Sequence, residues 1–183
     1  GVLTGDAHTV TEVTNDYSTS NATLAAVTPG AYDAIVWVAN GSGSGSTHTN
    51  AAVFTALTNF ADAGGYIFVT GYDSIASPTD SSLITFLGGT GSYDSGSEGP
   101  IINVENAMTT GIVDIRGVTP SGGYSDRDSF TGWGTDTVCV SGSGTRCSWT
   151  LRTVGAGYVA YVSNGQSSTG GHASWTNTAT GGS

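Results

Sequence analysis

The stretch YDAIVWVANGSGSGSTHTNAAVFTALTNFADAGGYIFVTGYD, residues 32–73, decides the fold of this chain. It contains two short apolar runs rich in β-branched residues, at 34–39 and 66–70. Both runs are too short for helices, and neither alternates between apolar and polar residues. Such runs are typical of strands that are buried on both faces, as in a parallel sheet covered by helices.

A helix is predicted between the two strands. Residues 50–62 place Val53, Leu57 and Phe60 at the spacing of one helix face. The Gly-Gly pair at 64–65 then supplies the left-handed conformation that ends many helices. Strand, helix and strand in this order form a βαβ unit, whose crossover should be right-handed.

The rest of the chain predicts a second helix and a β-rich C-terminal part. Ser77 is the expected N-cap of the helix, with Pro78 at its first position and Asp80 closing a capping box. The fold class is therefore α/β, with a mainly parallel core and an antiparallel C-terminal part, in a single domain over residues 1–166. A Gly/Ser/Thr-rich tail or linker follows at 167–183. The expected later strands are 136–140, 146–153 and 157–163, and the weaker strand candidates are 8–13, 101–104 and 112–115.

The composition is acidic because basic residues are scarce. The formal net charge is −10, from 14 Asp and Glu against four Arg and no Lys. A nucleic-acid partner is not expected, since the sequence offers no basic patch to neutralise phosphates, and binding to anionic lipid is disfavoured for the same reason. The longest apolar run has about six residues, far short of the roughly 20 that cross a bilayer as a helix, so membrane insertion is not expected.

The two cysteines, Cys139 and Cys147, flank a Gly/Ser turn between two β-prone arms. With the turn centred on Ser143, they lie directly opposite each other on a hairpin, close enough for a disulfide. The alternative is a pair of free thiols in a cytosolic protein. A disulfide predicts an oxidising compartment, and the Ser/Thr-rich, Lys-free composition points the same way. We therefore expect an extracellular or cell-surface location.

The order of these motifs resembles the class I glutamine amidotransferase-like superfamily, including its trehalose-utilisation-like branch. The resemblance is carried by YDAIVW at 32–37, FADAGG at 60–65 and YIFVTG at 66–71, with a weaker echo in ENAMTTGI at 105–112. It implies a flavodoxin-like layered fold, in which the first strand lies in the middle of the sheet. Residues 1–7 are too poor in apolar groups for such a strand. The first strand and helix are therefore expected to be missing, with the strand supplied from elsewhere, unless the start of the chain forms an edge strand.

The catalytic residues of that superfamily have no counterpart here. Its members place a nucleophilic Cys in the turn after the strand that corresponds to 66–70, and this turn carries Tyr72 instead. His172 is the candidate for the general base, but it lacks the Pro-Glu partner that the family pattern requires. The nucleophile–base pair of covalent catalysis is therefore absent, and the resemblance does not carry the activity over.

A ligand crevice is predicted where the loops at 41–49 and 71–74 follow two neighbouring strands. Open α/β sheets bind ligands at the carboxyl ends of their strands, and His48, Tyr72 and Asp73 would line this crevice. The Gly-Ser repeats of the first loop lack the pattern of a phosphate-binding loop. A flexible surface loop is therefore the favoured interpretation of the repeats.

Ion and glycan sites are weaker candidates. Asp126, Asp128 and Asp136 are carboxylates of the kind that bind Ca²⁺, but their spacing does not match an EF-hand, and solvated loop acids are the favoured interpretation. No other cofactor is expected. Asn21 and Asn40 begin N-x-[ST] sequons, so they are candidate sites of glycosylation in a glycoprotein.

Two functions follow from these patterns. The leading hypothesis is a non-catalytic extracellular structural domain, a building block of a surface protein or fibre. Its partners would be copies of itself or neighbouring domains of a larger assembly. The alternative is a secreted hydrolase-like enzyme or a carbohydrate-binding module that uses the predicted crevice.

Overall fold

The computed structural model describes residues 22–38, 50–71, 80–93 and 128–163, together with residues 9, 11, 75, 105, 106 and 110. This part of the chain contains three helices and seven strands. In chain order they are α1 (Ala22–Ala25), β1 (Ala34–Val38), α2 (Ala51–Asp62), β2 (Tyr66–Gly71), α3 (Ser81–Phe86), β3 (Gly91–Tyr93), β4 (Ser129–Thr131), β5 (Thr137–Ser143), β6 (Arg146–Val154) and β7 (Gly157–Ser163).

The seven described strands form one mixed sheet, which confirms the α/β class. Its order is β1-β2-β7-β6-β4-β3, and β5 also pairs with β6. The strands β1, β2 and β7 are parallel, whereas the pairs β6–β7, β5–β6, β4–β6 and β3–β4 are antiparallel. A parallel core is thus joined to an antiparallel C-terminal part, as the sequence predicts. The strands predicted at 136–140, 146–153 and 157–163 are β5, β6 and β7.

The βαβ unit at the centre of the sequence argument is confirmed. Strand β1 pairs in parallel with β2, from Ala34 opposite Tyr66 to Val38 opposite Thr70. The connecting helix α2 begins after Asn50, whose side chain accepts a hydrogen bond from the Ala52 backbone N–H at 3.0 Å. The helix ends where Gly64 adopts a φ of 103°, a conformation that only glycine reaches without strain.

The start of the next helix differs from the prediction. Helix α3 begins at Ser81 with Asp80 as its N-cap residue, so the predicted cap at Ser77 is wrong. Asp80 does not reach back as the third residue of a capping box, because it stands at the cap itself. Its backbone carbonyl accepts from the Ile84 N–H at 3.0 Å, the first hydrogen bond of the helix.

Of the three weaker strand candidates, only 8–13 contains described residues. Thr9 and Thr11, the two described residues of the predicted strand 8–13, are exposed and lie in no strand, so that prediction is wrong at these positions. The candidates at 101–104 and 112–115 lie outside the described residues, as does the predicted tail at 167–183. None of the described helices combines the length and apolarity needed to cross a membrane.

The main hydrophobic core lies on one face of the sheet, which we call the inner face. Helices α2 and α3 cover it and contribute Leu57, Phe60 and Leu83, all 0–1% exposed. The strands contribute alternate residues, and Val69 and Tyr161 are fully buried. A second, smaller cluster lies on the opposite, outer face, where Val140 and Leu151 are buried among Trp149, Tyr158 and Ala160. Neither described core covers the outer face of β1.

Candidate assembly edge and the carboxyl ends of the strands

Within the described residues, strand β1 lies at the edge of the sheet, and its outer face is exposed. Its side chains alternate between the two faces, with Trp37 buried at 7% and Ile35 half-buried on the inner face. On the outer face Val36 is 57% exposed and Val38 is 52% exposed. The prediction that both faces are buried is therefore wrong for β1. An uninterrupted apolar run does not say whether a strand is central or at an edge, because both faces can be apolar in either position.

The outer apolar surface continues from β1 onto its neighbour. Tyr66 of β2 is 52% exposed, and its ring lies 5.6 Å from the ring of Tyr158 on β7. The sheet register places Val36, Phe68 and Ala160 in one row, which continues through Leu151 to Val138 on β5. Val138 is 41% exposed. The row therefore ends in an exposed valine on each of its two outer strands, β1 and β5.

Among the residues that the structure describes, none provides β1 with the usual protections of a sheet edge. Exposed edges are normally blunted by charged side chains, proline, bulges or a covering element, because an open row of backbone groups invites pairing with another chain. The sequence of β1 is AIVWV, without charge or proline, and its register with β2 has no bulge. In the described part of the chain, no strand pairs with its outer edge. We call residues 34–38 and this edge the β1 edge.

The carboxyl ends of β2 and β7 lie side by side, with Gly71 opposite Ser163. The predicted crevice residues His48, Tyr72 and Asp73 lie outside the described residues, as do the loop at 41–49 and residues 72–74. Just beyond them Ile75 is described and is 1% exposed. The structure therefore leaves the lining of the crevice as a prediction.

Asp128 is one buried carboxylate near this end of the sheet. It is 3% exposed, and its Oδ2 accepts a hydrogen bond from the backbone N–H of Ile75 at 2.9 Å. Asp128 comes directly before β4, so this bond links the chain after β2 to the antiparallel part of the sheet. A buried carboxylate that accepts a backbone hydrogen bond holds a loop in place. The sequence alone does not predict this structural role of Asp128.

Three buried hydroxyl groups lie on the inner face nearby. Ser148 and Thr150 are fully buried on β6, and Ser163 is 4% exposed at the end of β7. Extending the β6–β7 register by one residue beyond Trp149 opposite Val162 sets Ser148 across from Ser163. The side-chain oxygens of all three have no hydrogen-bond partner in the structure as described. Buried polar groups are normally satisfied, so these hydroxyls mark a polar spot inside the protein.

Asp136 is held by hydrogen bonds from Arg152 and Thr137. Its Oδ2 accepts from the Arg152 Nε at 2.9 Å, and its Oδ1 accepts from the Thr137 hydroxyl at 3.0 Å. Partial burial raises the pKa of Asp136, but the hydrogen bonds from Arg152 and Thr137 and the charge of Arg152 outweigh it. The pKa of this carboxyl therefore lies below its ordinary value, and the group stays charged at neutral pH.

The Ca²⁺ hypothesis gains no support from the two described candidates. Asp128 accepts from a backbone amide and Asp136 from Arg152, and Asp126 lies outside the described residues. The described residues contain no group of three or more His, Cys, Asp or Glu side chains placed to hold a metal. A Ca²⁺ site that includes Asp126 stays a prediction. The candidate glycosylation sites Asn21 and Asn40 also lie outside the described residues.

Cys139 and Cys147 form the predicted disulfide, with their Cα atoms 5.7 Å apart. The predicted geometry of the hairpin is wrong in detail. The turn lies at 144–145, and the register places Cys139 opposite Thr150, with two irregularities between it and the turn. The bulged segment of β5 therefore brings the two cysteines together, although they are not direct cross-strand partners. A single sequence does not reveal such bulges.

Comparisons with known proteins show a distant structural likeness. No family model matches the chain, and no curated protein matches it. The fold is similar to a solved structure of a cytoplasmic protein from Salmonella typhimurium LT2, with a TM-score of 0.45 and 13% sequence identity. The match covers 72% of this chain and 60% of that chain. At this level the likeness carries no statement about function, so the function is argued from the geometry.

Proposed function

We propose that this chain is a non-catalytic extracellular structural domain that assembles into a larger surface structure. The observation that carries the proposal is the β1 edge, whose valines are more than half exposed. An uncharged apolar strand at an open edge is a liability for a protein that works alone. The same feature is useful in a building block, because backbone groups at a sheet edge pair with strands of other molecules.

The extracellular part of the proposal is supported by the disulfide and the composition. A disulfide that persists in the folded protein is typical of oxidising compartments. The chain also lacks Lys and is rich in Ser and Thr, which suits an exposed and glycosylated surface. Glycans at Asn21 and Asn40 belong to this proposal as expected modifications.

The non-catalytic part is supported by the sequence of the turn after β2. If the chain is a divergent relative of the class I glutamine amidotransferase-like superfamily, Tyr72 stands where the nucleophilic Cys is expected. A phenol is a poor nucleophile at neutral pH, since its unperturbed pKa is about 10. The described carboxylates Asp128 and Asp136 are both engaged by groups of the protein itself, which supports a structural use of the acids.

The test is the association state of the purified chain. We expect light scattering and negative-stain electron microscopy to show oligomers or ordered arrays whose mass increases with protein concentration. The same preparation should show no hydrolysis of glutamine. A chain that stays monomeric up to about millimolar concentration, far above the dissociation constants of specific complexes, would refute the proposal.

A carbohydrate-binding or hydrolase-like function is the second candidate, because the carboxyl ends of β2 and β7 lie side by side, and open α/β folds bind ligands at that end of the sheet. Ser163 is the last residue of β7, and hydroxyl groups are suitable partners for sugars. Titration with a panel of mono- and disaccharides, followed by tryptophan fluorescence, tests this candidate. Saturable binding that is lost in a Ser163→Ala variant would favour it over the structural role.

A further inference from the structure

We propose that β1 pairs with β1 of a second copy of the chain. The two strands run antiparallel about a twofold axis at Val36, so that the sheets of the two copies join into one. This inference rests on the proposed function and names the partner of the β1 edge. A twofold contact uses the same patch on both molecules, so the patch must be complementary to itself.

The sequence of β1 has this self-complementarity. Antiparallel pairing centred on Val36 sets Val36 opposite Val36 of the second copy. It also sets Ala34 of each copy opposite Val38 of the other copy. All of these side chains lie on the outer face, where the small alanine leaves room for the larger valine. On the inner face the same register sets Ile35 of each copy opposite Trp37 of the other copy. Every cross-strand pair is apolar, and such pairs stabilise a sheet.

The position of Asp33 decides between antiparallel and parallel pairing. Asp33 is exposed and comes directly before β1. In an in-register parallel pair, the two Asp33 carboxylates would lie about 5 Å apart, the spacing of adjacent strands. In the antiparallel pair centred on Val36 they lie at opposite ends, roughly 20 Å apart at about 3.3 Å per residue. That distance exceeds the screening length of about 8 Å at physiological salt. Two chains that each carry a charge of −10 can therefore pair in this way without repulsion between their Asp33 carboxylates.

The size of the contact predicts a weak dimer. Five paired residues bury roughly 300–400 Å² on each partner, about half of a standard interface of about 800 Å². We therefore expect the isolated chain to dimerise with a dissociation constant above about 1 μM. Display of many copies on one surface raises the effective concentration and makes such contacts persistent. A weak edge contact therefore suits a repeated building block.

The first test compares the effect on dimerisation of a positive charge at either end of the row of residues that runs from β1 to β5. Val36→Lys places an ammonium group on the proposed twofold axis, and Val138→Lys places one on β5, with a similarly exposed valine as its starting point. Thermal unfolding checks that both variants fold. In sedimentation equilibrium we expect Val36→Lys to weaken dimerisation at least tenfold, since two lysines would meet on the axis. Val138→Lys should dimerise as the wild type does.

The second test reads the register directly through new cysteines. Val36→Cys should form a covalent dimer under mild oxidation, because a residue on the twofold axis meets its own copy. Val38→Cys should not form one by itself, but it should cross-link to Ala34→Cys when the two variants are mixed. Val138→Cys is the control and should stay monomeric on a non-reducing gel.

The outcomes separate this inference from the proposed function. If the wild type assembles, but Val36→Lys and Val138→Lys assemble equally well, the β1 pairing is wrong and the assembly function stands. The same conclusion follows if Val38→Cys links to itself as readily as Val36→Cys does. If the wild type binds a different protein through β1 but never its own copy, the inference that the partner of β1 is a second copy is wrong. A wild type that stays monomeric at every concentration refutes both proposals.

Discussion

The strongest stability prediction concerns Arg152, which ties the C-terminal end of α3 to the sheet. Its Nη1 donates to the backbone carbonyls of Thr85 at 3.0 Å and Phe86 at 2.6 Å, and its Nε donates to Asp136 at 2.9 Å. The carbonyls at a helix C-terminus have no partners within the helix. A cation there donates to these carbonyls and interacts favourably with the helix dipole. The change we consider is Arg152→Met, which keeps the aliphatic stem and removes the guanidinium.

The size of the effect follows from these contacts. A hydrogen bond from a charged group contributes about 1.5–3 kcal/mol when it is buried, but the Arg152 side chain is 26% exposed, so water replaces part of each bond. We therefore assign about 1 kcal/mol to each carbonyl contact. The pair with Asp136, whose side chain is 44% exposed, adds about 0.5 kcal/mol. The expected loss is about 2–3 kcal/mol in the free energy of unfolding.

The assay is urea unfolding followed by tryptophan fluorescence, with Asp136→Asn as the matched control. The control removes the ion pair but keeps the carbonyl contacts, so it should cost only about 0.5 kcal/mol. The pKa of Asp136 is lower in the folded state than in the unfolded state. The small contribution of Asp136 to the free energy of unfolding is therefore present when the pH is above the unfolded-state pKa of about 4, and it is lost as the pH falls through the folded-state pKa. The control should lack this pH dependence. Equal losses for the two variants at pH 7 would refute the argument.

Three further predictions use other parts of the chain. Thiol titration of the denatured, unreduced protein should detect no free thiol, and two titratable thiols would refute the disulfide. Replacing both Cys139 and Cys147 by Ser should lower the free energy of unfolding by about 2–3 kcal/mol, because the disulfide closes a loop of about nine residues. A Cβ at Gly157 would collide with the backbone carbonyl oxygens of residues 61 and 65, so Gly157→Ala should lose more than about 2 kcal/mol. Gly30→Ala should lose only about 1 kcal/mol, because its site has open space and only the positive φ opposes the change. Finally, the wild type should not hydrolyse glutamine, and hydrolysis that disappears in Tyr72→Phe would show that the tyrosine is a nucleophile.

The local elements were predictable because their signals are local. The apolar spacing of residues 50–62 and the Gly-Gly pair determine α2 without help from distant parts of the chain. The β-rich end was equally clear, since 157–163 and 146–153 are apolar runs separated by a turn. The start of α3 was not predictable in the same way, because Ser77 and Asp80 are both good cap residues. Sequence preference alone does not choose between two caps that lie three positions apart.

The candidate site depends on relations between distant residues, and these could not be read from the sequence. The pattern AIVWV is the same for a central strand and for an edge strand, so the exposure of Val36 emerged only from the order of the sheet. The bulges that bring Cys139 to Cys147 depend on pairing along the whole hairpin. Arg152 acts on a helix that lies more than 60 residues earlier in the chain. No signal within its own strand identifies that partner.

The most direct test of assembly through the β1 edge is hydrogen exchange of the unmodified protein at two concentrations. One sample is dilute, well below about 1 μM, and the other is close to millimolar. Our account predicts that the backbone amides of β1 exchange more slowly in the concentrated sample, because pairing with a second copy protects them. The amides of β5, at the other end of the row, should exchange at the same rate in both. Protection of β1 that does not change with concentration, or that increases at β5 instead, would contradict the account.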